Sequence, residues 1–292
     1  MSAITDLTTV AAQIQQYWAP MFTKELRDSL LLGSLVNRDY QGEIRQGGDT
    51  VKVSQINAPT GELRTIGTDA DVFATEELSE SQISIKADKR AVASYEFTDL
   101  VGLQSQISME NSEVREALLY AVSKQINKHL YSLVAASASA PDHQVSGVSD
   151  LAATNLAAIR ILAGQAAWPK SKPWYALVDP QYYMDMGDDT TLSSSDYNAG
   201  DAVIVSGEIA TKRFGFNILE DNYLPADHGL FFYPDFMHMV MQRDVQIKIS
   251  DLHSQKKFGY VMSVDVVFGA KLSNDGDIRH VQVYNSAWAP NG

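Results

Sequence analysis

A mixed α+β fold is predicted by three observations. Segments with a two-residue apolar period precede one long segment with a four-residue period. A mixed helix-and-strand stretch occupies the middle, and a run of strand-like segments closes the chain.

In chain order, Ile14, Trp18, Phe22 and Leu26 recur every four residues and would share one helix face. Pro20 bends or starts that helix. Leu30-Leu31-Leu32 and Leu35-Val36 add an apolar patch. This N-terminal piece either docks on its own core or forms an arm that docks on a neighbour. Gln46-Gly47-Gly48-Asp49 marks a turn. Thr50 to Ser54 and Gln82 to Lys86 then alternate apolar and polar residues at strand period.

Between these strands runs a polar connection from Ala58 to Glu80, with Glu62, Asp69, Asp71, Glu76, Glu77 and Glu80 against only Arg64. So long a loop is uncommon inside a compact domain, and two strands alone are barely stable in water. It is either an unfolded surface loop or a long hairpin that another molecule covers.

From Thr98 the period becomes helical, with Thr98 as N-cap and Asp99 in the first turn. Val114, Leu118, Val122, Ile126, Leu130 and Val134 form the stripe, and Ala135–Ala140 with Pro141 ends it. Asn111-Ser112 is an alternative start. Leu151 to Ala167 reads as helix and Trp174 to Val178 as a buried strand, stopped by Asp179-Pro180. Gln181 to Met186 starts a helix, and Thr190 to Asn198 reads as a loop. Ser206 to Glu220 leads into a strand holding Phe216 and Ile218, closed by Leu224-Pro225. Further strands are expected at Leu230–Phe232, Met239–Met241, Val245–Ile249, Val261–Phe268 and His280–Tyr284, with a hairpin turn at Asn274–Asp277 before the last.

Composition excludes several function classes. The 292 residues carry 36 acids against 23 Lys and Arg, for a net charge of -13, so the overall field opposes nucleic acid. No basic run exceeds two residues, as in Lys256-Lys257. Having no cysteine, the chain makes no disulfide, thiolate nucleophile or cysteine zinc site. The first basic residue is Lys24, which argues against a secretory signal, and no apolar run is long enough for a membrane helix. These features fit a soluble protein made inside a cell or released by lysis.

Catalytic motifs are missing. His129, His143, His228, His238, His253 and His280 have no zinc-helix spacing, and His238 reads as a packed histidine. No serine elbow or phosphate-binding glycine motif is present. Ser254-Gln255-Lys256-Lys257 fits S-x-x-K without its companion motifs. Asp69-Ala70-Asp71 and Asp275-Gly276-Asp277 read as solvated acids and not calcium loops. Trp168, Trp174, Tyr175, Tyr182 and Tyr183 read as core or interface rings. No catalytic, cofactor or metal residue is assigned.

The order of elements resembles the major capsid proteins of tailed bacteriophages, whose subunit has the Hong Kong-97-type fold. Leu35-Val36-Asn37-Arg38-Asp39-Tyr40 followed by Gly47-Gly48-Asp49-Thr50-Val51 looks like that family's junction from N-arm to extended loop. Gly207 to Pro225, with Arg213-Phe214-Gly215-Phe216 and Asp221-Asn222-Tyr223-Leu224-Pro225, looks like its axial-domain strand and exit. The resemblance implies an N-arm over 1–41, an extended loop over 42–97, a peripheral domain with its spine helix over 98–144, an axial domain over 145–234 and returning peripheral-domain strands over 235–292. It also implies hexamers and pentamers in an icosahedral virion shell around double-stranded DNA, assembled in the host cytoplasm. Partners would be the chain itself, a separate scaffolding protein, a portal and decoration proteins, with no membrane and no sequence-specific DNA contact. Candidate subunit-interface residues are Trp18, Phe22, Leu26, Glu62, Arg64, Asp69, Asp71, Glu76, Glu77 and Glu80. Some family members cross-link through a Lys–Asn isopeptide bond. Lys86, Lys89 and Asn285 do not match that motif, so no cross-link is expected. Two alternatives remain: an encapsulin-like cellular nanocompartment, and an α/β enzyme with a site around Trp174–Tyr183.

Overall fold

The computed structural model describes residues 31–40, 50–63, 75–98, 112–137, 143–193 and 212–286. A short helix α1 (Leu32–Leu35) precedes a hairpin of β1 (Thr50–Ile56) and β2 (Glu80–Lys86). Strand β3 (Lys89–Thr98) and the long helix α2 (Ser112–Ser137) follow. Next come β4 (Gln144–Ser146), α3 (Ala153–Gln165), β5 (Trp174–Val178), α4 (Pro180–Asp188) and α5 (Thr190–Ser193). The last third is β6 (Lys212–Arg213), β7 (Phe216–Glu220), β8 (His228–Phe232), β9 (Met237–Asp251), β10 (Gly259–Leu272) and β11 (His280–Tyr284).

These strands form three sheets: the β1-β2 hairpin, a three-stranded sheet ordered β3-β10-β9, and a six-stranded sheet ordered β4-β11-β8-β5-β7-β6. The six-stranded sheet is covered on both faces. Trp174, Ala176, Val178, Phe231, Val281 and Val283 pack toward α3 and α4, while Leu177, Leu230 and Phe232 pack toward α2. Two covered faces explain why Trp174–Val178 reads as a continuous apolar run and not an alternation.

The stripe expected on α2 is the stripe that packs. Leu118, Val122, Ile126, Leu130 and Val134 are buried, against Val264, Val266 and Phe268 on one side and Leu230 and Phe232 on the other. Because a four-residue repeat drifts around a 3.6-residue turn, one helix serves both sheets. Thr98, the expected N-cap, is the last residue of β3 and pairs with Gly259. Residues 99–111, which would form the first turns, lie outside the described residues. Helix α4 starts as its sequence signals require: the Asp179 side chain accepts from the N–H groups of Gln181 and Tyr182, and Pro180 fills the first turn.

Several expectations need correcting. Strand β3 was not expected; Ala91, Ala93, Tyr95 and Phe97 alternate, but two of the four are alanines, a weak signal. It pairs with β10 over ten residues, so 89–98 shares a sheet with the C-terminal strands. Met239–Met241 and Val245–Ile249 are parts of one strand, β9, whose register with β10 shifts near Asp265 and Val267. The Asn274–Asp277 turn makes no hairpin. Its neighbours β10 and β11 lie in different sheets, and a 3-10 turn over Gly276–Ile278 carries the chain between them. Thr190–Ser193 is a helical turn and not a loop. A true two-residue hairpin joins β6 to β7, where Phe214 and Gly215 both have positive φ, 48° and 89°.

Candidate assembly surfaces

The β1-β2 ladder runs from Thr50↔Lys86 to Ile56↔Glu80. Its inner face carries Val51, Ile83 and Ile85, which pack with Ala87 on Val240. Lys271 Nζ reaches the Ser84 carbonyl at 3.4 Å, and Gln55 Nε2 donates to Asp275 at 3.0 Å. The root is therefore seated on the three-stranded sheet. The far end is not. Asn57 N–H bonds the Ser79 carbonyl at 3.0 Å, and Thr60 N–H bonds Glu76 Oε2 at 3.0 Å. These contacts hold the two legs to each other, while Ile56, Leu63 and Leu78 are 66%, 101% and 77% exposed.

A polar hub locks the root. Asn37 Nδ2 donates to Asp235 at 2.8 Å, Lys172 pairs with Asp235, and Arg279 bonds Asp275, Gln55 and the Asp235 carbonyl at 3.2–3.3 Å. Burial pushes the Asp235 carboxyl up, but the Lys172 and Asn37 donors outweigh it and hold it below the usual range. His238 is packed as expected: buried, edge-on to Tyr40, with Nε2 at 3.0 Å from Ser273 Oγ. Ser273 spends its proton on the Asp235 carbonyl, so its oxygen accepts from Nε2–H. That fits a neutral ring, whose protonation burial disfavours.

A third surface is the far end of the three-stranded sheet. Met262 and Val264 are fully buried, yet their β9 partners Ile249 and Ile247 are 53% and 43% exposed. Tyr95, which also pairs with Met262, is exposed, as are Val245, Phe258 and Tyr260. The cover given by α2 stops short of this edge.

Of the expected interface residues, Trp18, Phe22, Leu26, Arg64, Asp69 and Asp71 lie outside the described residues. Glu62, Glu76, Glu77 and Glu80 are exposed on the hairpin's far end, with Glu76 held by Thr60. Sequence reading did not single out Leu63 and Leu78, although two isolated leucines in a polar connection were the available signal. It also missed the hub of Asn37, Asp235 and Arg279, which no spacing rule brings together.

The aromatic cluster is packing, not a substrate pocket. Trp168 and Trp174 meet edge-to-face at 5.4 Å, their indole N–H groups bond the carbonyls of Ile278 and Pro169, and the Arg160 guanidinium lies 4.0 Å over Trp174. In S-x-x-K, Lys257 pairs with Glu96 at the β9–β10 turn. Asp275 is engaged by Gln55 and Arg279, and no acid–histidine group suited to a metal occurs among the described residues. Asn285 bonds Asp227 through both N–H and side chain.

Comparison with known proteins agrees with this picture. Residues 48–283 match the family model described as phage capsid protein. No curated protein sequence matches the chain significantly. Solved structures do. A chain from Mycobacterium phage Che8 superposes with a TM-score of 0.75 at 20% identity, covering 92% of this chain and 96% of its own. The capsid of cyanophage P-SCSP1u gives 0.75 at 15%, covering 95% and 94%. The capsid asymmetric unit of cyanophage Pam1 gives 0.73 at 13%, covering 98% and 100%. At such identities these likenesses establish the fold, and the family model supplies the rest: the chain belongs to the phage capsid protein family.

Proposed function

We propose that the chain self-assembles into hexamers and pentamers of an icosahedral virion shell that encloses double-stranded DNA. The family is one of structural proteins, not enzymes. The observation that carries the reading is the hairpin, anchored at its root and bare at its end. A segment with Leu63 and Leu78 almost fully in water makes sense when another copy covers it. The exposed Val245–Ile249 edge of β9 offers strand and apolar contacts of the kind that join subunits head to tail, and such contacts close into rings when the rotation permits. Many modest contacts per subunit then act together. A net charge of -13 suits a wall that confines DNA without adhering to it. On the same reading, residues 1–41 are an arm, the extended loop ends at the Lys86–Ala87 turn into β3, and α2 is the spine. Scaffolding, portal and decoration proteins are the further partners, and assembly takes place in the host cytoplasm.

The test replaces residues 58–78 by a two-residue turn. The ladder and root contacts remain, so the subunit folds with an unchanged circular dichroism spectrum, while negative-stain microscopy finds no closed shells. Normal shells from that variant would refute the reading.

A further inference from the structure

Resting on the shell reading, we propose that a cavity beside α2 is a socket for the hairpin end of a second copy, with the Glu80 carboxylate entering it between Ile56 and Leu78. The cavity, of about 400 Å³, lies between α1, α2 and β9. Its polar wall is Arg38, Ser123 and Asn127, and its apolar wall is Leu119, Ile126 and Met241.

Asn127 is the telling residue. It is 1% exposed beside the aliphatic stripe of α2, and neither its amide nitrogen nor its oxygen has a hydrogen-bond partner. A buried amide left unmade is costly in the free subunit and gains its bonds only when something enters. Arg38 stands at the rim. Its one bond among the described residues goes to the Gly33 carbonyl, and it has no carboxylate partner there. By contrast Arg90, Lys172, Lys257 and Arg279 are each paired with an acid. A guanidinium with no acid partner among the described residues, beside an unpaired amide, fits a carboxylate carried on a polypeptide. The acid accepts from both groups, and the backbone brings N–H donors that an inorganic anion lacks.

The hairpin end has the matching chemistry. Ile83 and Ile85 define the inner face, so Glu80 and its partner Ile56 lie on the outer face, away from the subunit's own core. Leu78, two residues before Glu80, continues that face if the leg stays extended. The Glu80 carboxylate is exposed and bonded to nothing among the described residues, and Ile56 and Leu78 flank it bare. An acid between two aliphatic side chains meets a guanidinium and an amide beside Leu119, Ile126 and Met241. The subunit's own hairpin is held elsewhere. Gln55 is tied to Asp275 and Arg279, past the Leu272↔Met237 end of the sheet. The root itself packs on Val240, which faces the side of the sheet opposite to that of its neighbour Met241.

The experiment uses the full chain, which has no cysteine. Leu78→Cys with Ser123→Cys is assembled and oxidised, and run on a non-reducing gel. The expected result is a ladder of linked copies, which reduction collapses. In parallel, Arg38→Glu and Glu80→Arg each lower shell yield by about tenfold or more, and the double charge exchange restores it. A cross-link formed within single chains overturns the proposal, as does a missing ladder with charge variants that assemble like the parent. In both cases parent shells still form and the shell reading stands. If the parent chain forms no shell under any condition, the shell reading itself fails and takes the socket with it. Should Arg38→Glu fold poorly, the cysteine pair, which keeps both charges, decides.

Discussion

The hairpin root rests on one glycine. Gly269 pairs with Val240 in the β10-β9 ladder, and Lys86 and Ala87 press onto it where β2 turns into β3. A methyl group at Gly269 would lie 2.0 Å from the Lys86 carbonyl oxygen and 2.7 Å from its carbon. The nearer distance is about 1.4 Å short of the 3.4 Å at which ordinary contact begins. The obstacle is backbone, so no rotamer change relieves it. Gly269→Ala must lift the root of the hairpin off Val240 or distort β10. Overpacking of this kind costs about 1–3 kcal/mol. At roughly 2–4 °C per kcal/mol for a large domain, the melting temperature falls by about 2–12 °C. The control is Gly164→Ala near the end of α3, where a methyl meets nothing within 4 Å. The same chemical change there stabilises by up to about 1 kcal/mol, because alanine prefers helix. Thermal melts and limited proteolysis of the hairpin measure both variants. If Gly269→Ala melts like the parent and its hairpin is cut no faster, the seating of the root on β10 is refuted.

Two other perturbations test the core and its charge state. Leu118→Asp places a carboxylate among Val122, Val264 and Val266, and should destabilise the subunit by at least about 3 kcal/mol, read as insolubility or a collapsed melt; an unchanged melt would remove α2 from the core. Lowering pH should also destabilise the subunit. Burial holds the His129, His238 and His280 rings below the ordinary value of 6.5, with Lys89 adding to the effect at His129. The unfolded chain therefore binds more protons as pH falls through 6.5, so stability is full above that value and declines below it. Melting temperatures at pH 7.5 and 5.5 check the sign. His280→Asn should reduce the difference, because the fully buried His280 ring, bonded to Gly276 and Gln282, then no longer contributes.

Much of the fold could be read from single segments. The α2 stripe, the β5 run and the Asp179-Pro180 start of α4 are local patterns whose physics is complete within about 20 residues. What escaped depends on partners distant in sequence. β3 carries a faint alternation and becomes a strand because β10 lies beside it. The Asn274–Asp277 turn has hairpin chemistry, yet β11 leaves for another sheet because Val281 and Val283 fit under α3 and α4. The acidic stretch was legible as unusual, since its charge imbalance needs no structure to see. The polar hub and the cavity beside α2 were not. Asn37, Arg38, Asn127 and Asp235 come from segments with no common pattern, and only the packed chain brings them near one another.

The place of β11 sets an order of events during synthesis. Among the described residues this strand, ending at Tyr284, is the one hydrogen-bonded to both β4 and β8, so the six-stranded sheet has a gap between residues made early and late until residues 280–284 arrive. A ribosome-bound chain made only as far as β10 leaves β4 unpaired and one edge of β8 bare, and cannot close its larger sheet. Truncation even shortly before residue 280 should therefore yield aggregated chains instead of a folded subunit.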